Sequence, residues 1–106
     1  MSVTLEWIQS WYSTQCDGDW EENYGVQIQT LANPGWRVHI DLVGTSLEDS
    51  PFEEVVTERT EQNWVHCRVR DSAFEGRSGP SNLTEILHIF KDWTEQHQPI
   101  AKLSGL

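Results

Sequence analysis

The chain opens on a stretch whose apolar residues recur at helical spacing. Leu5, Ile8 and Tyr12, with Trp11 beside them, fall at i, i+3 and i+7, while Glu6, Gln9 and Ser10 point away. This predicts an amphipathic helix from Thr4 to about Gln15. Ser2 or Thr4 can accept its first free N–H groups, and Asp17-Gly18-Asp19 is turn chemistry that ends it. The period then changes to two. Tyr24, Val26, Ile28 and Thr30 alternate with Gly25, Gln27, Gln29 and Leu31, and Trp36, Val38, Ile40 and Leu42 alternate with Arg37, His39 and Asp41. Between them Asn33-Pro34-Gly35 reads as a type II turn with Gly35 at positive φ. The two runs therefore form a β-hairpin, closed by Gly44-Thr45.

Residues 46–51 read as a loop, and a weaker strand follows over 52–59, with either Val55 and Thr57 or Phe52 and Val56 facing inward. Glu61-Gln62-Asn63 is a turn. From Trp64 to Arg70 the alternation returns, with Val65, Cys67 and Val69 on one side and His66, Arg68 and Arg70 on the other. Phe74 either begins a short fifth strand or plugs the core. Arg77 to Ser81 reads as a loop that delivers the last helix. Asn82 and Glu85 form a capping-box pattern there, and Leu83, Ile86, Leu87, Phe90 and Trp93 make its apolar stripe. Pro99 marks its end, and residues 99–106 are expected to be a loose tail. The expected fold class is α+β in the order α-β-β-β-β-α: an antiparallel sheet of about four strands with the N-terminal and C-terminal helices packed on one face.

Length bounds this picture without changing it. A chain of 106 residues and 12.3 kDa is expected to form one domain spanning 1–106, and to expose roughly 6,100 Å² when folded against about 17,800 Å² unfolded. No run of apolar residues exceeds two, so nothing reads as a membrane span or a signal-peptide core, and the expected location is cytoplasmic. Cys16 and Cys67 lie 51 positions apart without a secretory signal and are expected to be reduced.

Charge changes the picture more. The net charge is −10, and all of it resides in residues 1–61, which hold twelve acidic and two basic groups; residues 62–106 hold five of each. Phosphate backbones and anionic lipid surfaces are disfavoured, so neither direct nucleic-acid binding nor membrane binding is expected. A basic protein partner would be steered in quickly. Acidic surface that merely keeps a protein soluble is the plain alternative.

Candidate chemistry is sparse. Asp17-Gly18-Asp19-Trp20-Glu21-Glu22 holds four carboxylates in six residues, but the calcium-loop pattern fails: glycine is second instead of sixth, and Ile28 stands where a bidentate Glu belongs. Of six tryptophans, Trp36 and Trp93 fall on inward stripes, and Trp7 and Trp11 lie on the helix edge. Trp20 in its loop and Trp64 on the solvent register of its strand are either candidates for a binding role or covers of the core rim. His39 and His66 share the outer sheet face with Asp41 nearby, which leaves a small metal- or metabolite-binding enzyme as the rival reading. No nucleophile setting, metal-ligand spacing or glycine-rich phosphate loop accompanies them, so no catalytic residue, cofactor or metal is expected.

The chain resembles a bacterial immunity-protein family of polymorphic toxin systems, immunity protein 53. The likeness is carried by Leu5, Trp7, Trp11-Tyr12, Cys16-Asp17-Gly18-Asp19-Trp20-Glu21 and Tyr24-Gly25, then by Thr30-Leu31, Asn33-Pro34-Gly35-Trp36, Asp41-Leu42 and Gly44-Thr45, and finally by Trp64, Phe74, Asn82-Leu83, Phe90 and Trp93. It covers about residues 4–94; residues 16–21 and 33–36 are its specific blocks. The resemblance implies a small cytoplasmic protein that binds and neutralises a cognate toxin; the chain is expected to be non-enzymatic and a monomer or weak homodimer. Charge and expected exposure, rather than the resemblance, single out the contact residues: Asp17, Asp19, Trp20, Glu21 and Glu22, and Glu48, Asp49, Glu53, Glu54, Glu58, Glu61 and Trp64. Such an acidic surface suits a basic toxin domain, for instance a nuclease whose groove is built for phosphate.

Overall fold

The computed structural model describes residues 3–97. The elements in chain order are α1 (Val3–Gln15), α2 (Trp20–Asn23), β1 (Val26–Leu31), β2 (Gly35–Asp41), β3 (Val55–Thr60), β4 (Asn63–Arg70), β5 (Ala73–Ser78) and α3 (Leu83–Gln96). The fold is α+β, as the alternating patterns imply, with five strands instead of about four. All neighbours are antiparallel and the order is β1-β2-β5-β4-β3. Ser2, Pro99 and the expected tail 99–106 lie outside the described residues.

The fifth strand is the largest departure. Arg77 and Ser78 belong to it instead of to a loop, and it occupies the middle of the sheet, where Gly76 is opposite Val38 on one side and Cys67 on the other. Its hairpin with β4 turns at Asp71 and Ser72, both at positive φ (54° and 58°), as a two-residue type I′ connection requires. Asp-Ser carries a weaker turn signal than Asn-Gly.

Gly76 also shows why α3 sits where it does. A side chain there would collide with Ile86 Cγ2 on α3, so the missing side chain lets the helix lie directly on the central strand. Gly76→Val is expected to destabilise the fold by about 1–3 kcal/mol through overpacking, read as a lowered urea midpoint. An unchanged midpoint would mean that α3 can lift off the sheet at no cost.

One sheet face and the two long helices enclose the core. Val38, Ile40, Leu42, Leu47, Val65, Phe74, Ile86 and Phe90 are fully buried. Phe90 is the hub: its ring centroid lies 5.0 Å from both Trp11 and Phe74, 6.0 Å from Trp7 and 6.1 Å from Trp93. The helical stripe of α1 is rotated from its expected position. Thr4, Ile8 and Trp11 are buried, whereas Leu5 and Tyr12 are exposed at 46% and 37%. Edge strand β1 is likewise poorly covered, with Ile28 at 38% exposure and Thr30 exposed. Indole size decides the α1 rotation, because burying Trp11 against Phe90 removes more apolar area than burying Leu5.

Two local expectations are corrected. Gly35 does not have positive φ; it is the first residue of β2, and a Cβ there would strike the Ser78 carbonyl oxygen. Asn82 precedes α3 but its side chain makes no cap; its amide donates to Asn63 Oδ1 (3.0 Å) and Glu85 Oε1 (3.1 Å).

Candidate functional site

The helices cover one face of the sheet and leave the other open, and the side chains on that open face stand in register. One row across the strands runs Gln29, Arg37, Arg77, His66, Val56; the next runs Gln27, His39, Glu75, Arg68. Toward the β3 edge, Glu58 lies opposite Trp64. The pleat places every second residue outward, so strand alternation alone collects these polar groups.

Trp64 is the apolar centre of this edge. It is half-buried, with its ring centroid 5.0 Å from that of His66, and His66 Nε2 lies 3.0 Å from Glu58 Oε2. Around it is an open cleft of about 570 Å³ lined by Glu58, Arg59, Thr60, Glu61, Trp64, His66 and Arg77. A smaller cleft of about 170 Å³ adjoins it through His66 and Arg77 and reaches Glu54, Arg68 and Glu75. Arg68 Nε donates to Glu75 Oε1 at 2.9 Å.

The rim is held from behind. A register shift between Glu58 and Thr60 turns Arg59 toward α3. There its guanidinium donates to both Glu85 oxygens, at 3.1 and 2.6 Å, and to Asn63 Oδ1 at 2.8 Å. The β3–β4 hairpin carrying Glu58, Glu61 and Trp64 is thereby tied to the first turn of the last helix. Arg59, and then the Asn82 amide, hold the Glu85 carboxyl below its ordinary value of 4.5. Stabilisation by this pair is therefore complete above that value and fades as the pH falls through the lower folded value. Glu85→Gln is expected to flatten the acid limb of stability below about pH 4.5, followed by urea unfolding across pH 2–6. An acid limb identical to that of the unaltered protein would show that the clamp does not act on stability.

The structure divides the residues singled out from sequence. Glu58, Glu61 and Trp64 line one cleft and Glu54 the adjoining one. Glu53 lies with Asp92 and Gln96 on the α3 side. Glu48 and Asp49 line neither of the outer-face clefts, and Glu48 Oε1 accepts the Gly44 N–H at 3.1 Å. Asp17 and Asp19 precede α2, and Glu21 and Glu22 lie in it; two of these carboxylates bind the local backbone. Asp17 Oδ1 accepts the Asp19 and Trp20 N–H groups, and Glu21 accepts those of Asp17 and Gly18. The two N–H groups on Asp17, that of Trp20 foremost, hold its carboxyl below the usual range.

Trp20 is not an exposed anchor. It is 6% exposed, packs edge-on to Trp11 at 6.2 Å, and donates its indole N–H to Val43 O at 2.8 Å. The surrounding acidic residues made that segment read as a surface loop, whereas a one-turn helix carries the indole inward.

The two outward histidines do not meet. His39 is on β2 and His66 on β4 with β5 between them, roughly 10 Å apart at ordinary strand spacing. His39 Nε2 lies 3.1 Å from Asp41 Oδ1, and the other oxygen of Asp41 accepts the Gly25 N–H, which fastens β1. Among the described residues no group of three or more His, Cys, Asp or Glu is placed to hold a metal. Both cysteines are free, and burial pushes the Cys67 thiol up to about 12, leaving it protonated.

Sequence reasoning missed Arg77 and Glu75 as members of this face. Their strand, Ala-Phe-Glu-Gly-Arg-Ser, has one large apolar residue and a central glycine, so its period of two is nearly silent. A second surface feature is an apolar groove of about 360 Å³ between α1 and β1, lined by Leu5, Ile8, Tyr12, Val26 and Ile28 among others. Among the described residues no helix is long and apolar enough to cross a membrane. A family model described as immunity protein 53 matches residues 5–95. Comparison with curated proteins and with solved structures gives no match.

Proposed function

The chain belongs to the immunity protein 53 family, and from that premise we propose that it neutralises a basic toxin domain through the outer sheet face around Trp64. The observation that carries this reading is the gathering of Glu58, Glu61 and Trp64 in one open cleft at the β3–β4 edge. Carboxylates on the rim steer a basic surface in, and a half-buried indole at the centre supplies the apolar contact that lowers the dissociation rate. The shape fits a protein better than a small molecule: the cleft is open to solvent, and His66 and Arg77 continue it into a second depression. A nuclease domain is a natural target for a chain of net charge −10, since carboxylates laid in a phosphate-binding groove exclude its substrate. The protein would do this in the cytoplasm of the producing cell, as a monomer or weak homodimer.

The test is capture from the source cell at low and high salt, followed by affinity measurement on the purified toxin domain. Glu58→Lys/Glu61→Lys is expected to lower the association rate at least tenfold at low salt, with the difference shrinking as salt rises. A basic toxin bound with unchanged kinetics would move the interface elsewhere on the molecule. A chain that captures no toxin would remove the reading altogether.

A further inference from the structure

We infer that Arg77 seats a single carboxylate side chain of the bound toxin, so that the interface pairs charges in both directions; this rests on the outer face being the toxin-binding surface. Among the described cations, the side chain of Arg77 alone has neither a hydrogen bond nor an ion pair, and it is exposed. Arg59, Arg68 and Lys91 each meet a carboxylate, at 2.6, 2.9 and 3.1 Å. Arg37 donates to Gln29 Oε1 at 2.9 Å, and Arg70 lies 3.8 Å from Asp71.

Position makes the unpaired guanidinium harder to dismiss. Arg77 is directly opposite Arg37 on β2 and opposite His66 on β4. Like charges directly across a strand pair are unfavourable. Two carboxylates of the same clefts are engaged elsewhere, Glu75 with Arg68 and Glu58 with His66, and neither Glu54 nor Glu61 pairs with Arg77. A chain with seven basic residues against seventeen acidic ones thus sets two arginines face to face at the centre of its open face and leaves one unpaired. An incoming anion would relieve that repulsion.

The form of the site selects which anion. Arg77 lines both clefts of the outer face, within reach of a group that enters either. Arg77 is exposed in the free protein, with Trp64 and His66 beside it in the larger cleft, so a pair formed there is shielded from water only once the toxin is docked. A guanidinium fork matches a carboxylate bidentately. Glu54, Glu58 and Glu61 on the same rims repel an extended polyanion such as a nucleic-acid strand. They welcome one acidic side chain set among basic ones. Arg77 then acts as a specificity element: a toxin of the right overall charge but without that carboxylate leaves the guanidinium desolvated and unpaired.

The experiment uses the cognate toxin domain identified by capture and mass spectrometry, with its Asp and Glu residues changed one at a time to Arg. Arg77→Ala is expected to weaken binding at least tenfold, chiefly through faster dissociation, with Arg77→Lys in between. Arg77→Glu is expected to weaken it further and to be rescued by one toxin Asp→Arg or Glu→Arg change. In the free protein, Arg77→Ala is expected to unfold at the same temperature or higher, because the repulsion from Arg37 is gone; loss of binding without loss of stability separates a contact residue from a structural one. Binding within twofold for Arg77→Ala and Arg77→Glu, alongside a defect in Glu58→Lys/Glu61→Lys, overturns the carboxylate seat and leaves the docking face standing. Tighter binding by Arg77→Glu overturns its sign. Indifference to both sets of changes, or capture of no toxin, overturns the seat and the docking face together.

Discussion

Replacing Phe90 with alanine is expected to destabilise the protein by about 4 kcal/mol and to lower its melting temperature by roughly 15–30 °C. Phe90 is 0% exposed, so its loss forfeits the transfer free energy of a whole aromatic side chain and leaves a cavity besides. The void would open where the two long helices meet the sheet. Trp7 and Trp11 of α1, Phe74 of β5 and Trp93 of α3 all pack on that ring. These neighbours are large, and Phe74 and Trp93 are held by Phe52 as well, so collapse into the gap is restricted and the cost falls toward the upper part of the usual range. Domains of this size have about 5–15 kcal/mol in total. Urea and thermal unfolding followed by tryptophan fluorescence would measure the change. A drop of less than about 5 °C would show that α1 and α3 are held by something other than this junction.

Trp64→Ala is expected to cost at least about 2 kcal/mol of toxin affinity, near 30-fold in Kd, while changing stability far less than Phe90→Ala. Trp64 and Phe90 are both large aromatics, yet they face opposite sides of the sheet. Phe90 fills an interior. Trp64 presents a half-buried indole in an open cleft, framed by His66 and Glu58. An aromatic centre with a polar rim is the usual anatomy of an interface hot spot, where truncation exposes the surrounding charges to water. Calorimetric titration against the purified toxin domain measures the effect, and a circular-dichroism melt of the variant confirms that the sheet is intact. A Kd within twofold of the original would remove Trp64 from the interface and with it the apolar anchor of the proposed docking face.

Much of this was legible along the chain. The β1–β2 hairpin follows from alternation on both sides of Asn33-Pro34, and β4 from Val65, Cys67 and Val69 against His66, Arg68 and Arg70. The α3 stripe is nearly as written: Ile86, Leu87, Phe90 and Trp93 are buried. The family was legible too, from the blocks at residues 16–21 and 33–36. What was not legible shares a cause. Leu5 and Tyr12 fit a helical stripe as well as Thr4 and Trp11 do, and only the partner across the core chooses between them. Trp20 sits among carboxylates that mark a surface, and its burial depends on Val43, twenty-three residues away. Gly76 leaves its strand with a weak pattern, and only the packing of Ile86 on it shows what the glycine is for.

For the candidate site the division is sharper. Glu58, Glu61 and Trp64 were identifiable by charge and strand phase, but the acidic run to which they belong was expected to act as one patch. The structure splits it, because the segment entering β3 sends Glu54 outward and Glu53 toward α3, β3 sends Glu58 outward, and the register shift brings Arg59 to Glu85. Arg77 became a central residue of the open face only when β5 took its place between β2 and β4.

By itself, then, the sequence determined the kinds of element, most of their limits, the family and the excess of negative charge. Each of these depends on residues two to four positions apart or on composition, and so is written locally. Strand order, the rotation of α1, the burial of Trp20 and the placing of Trp64 and Arg77 in one cleft were decided by the tertiary structure. They rest on apolar burial between distant segments, a force without direction that many pairings could satisfy. Only the assembled packing, with Gly76 admitting α3 and Phe90 joining both helices to the sheet, selects one of them.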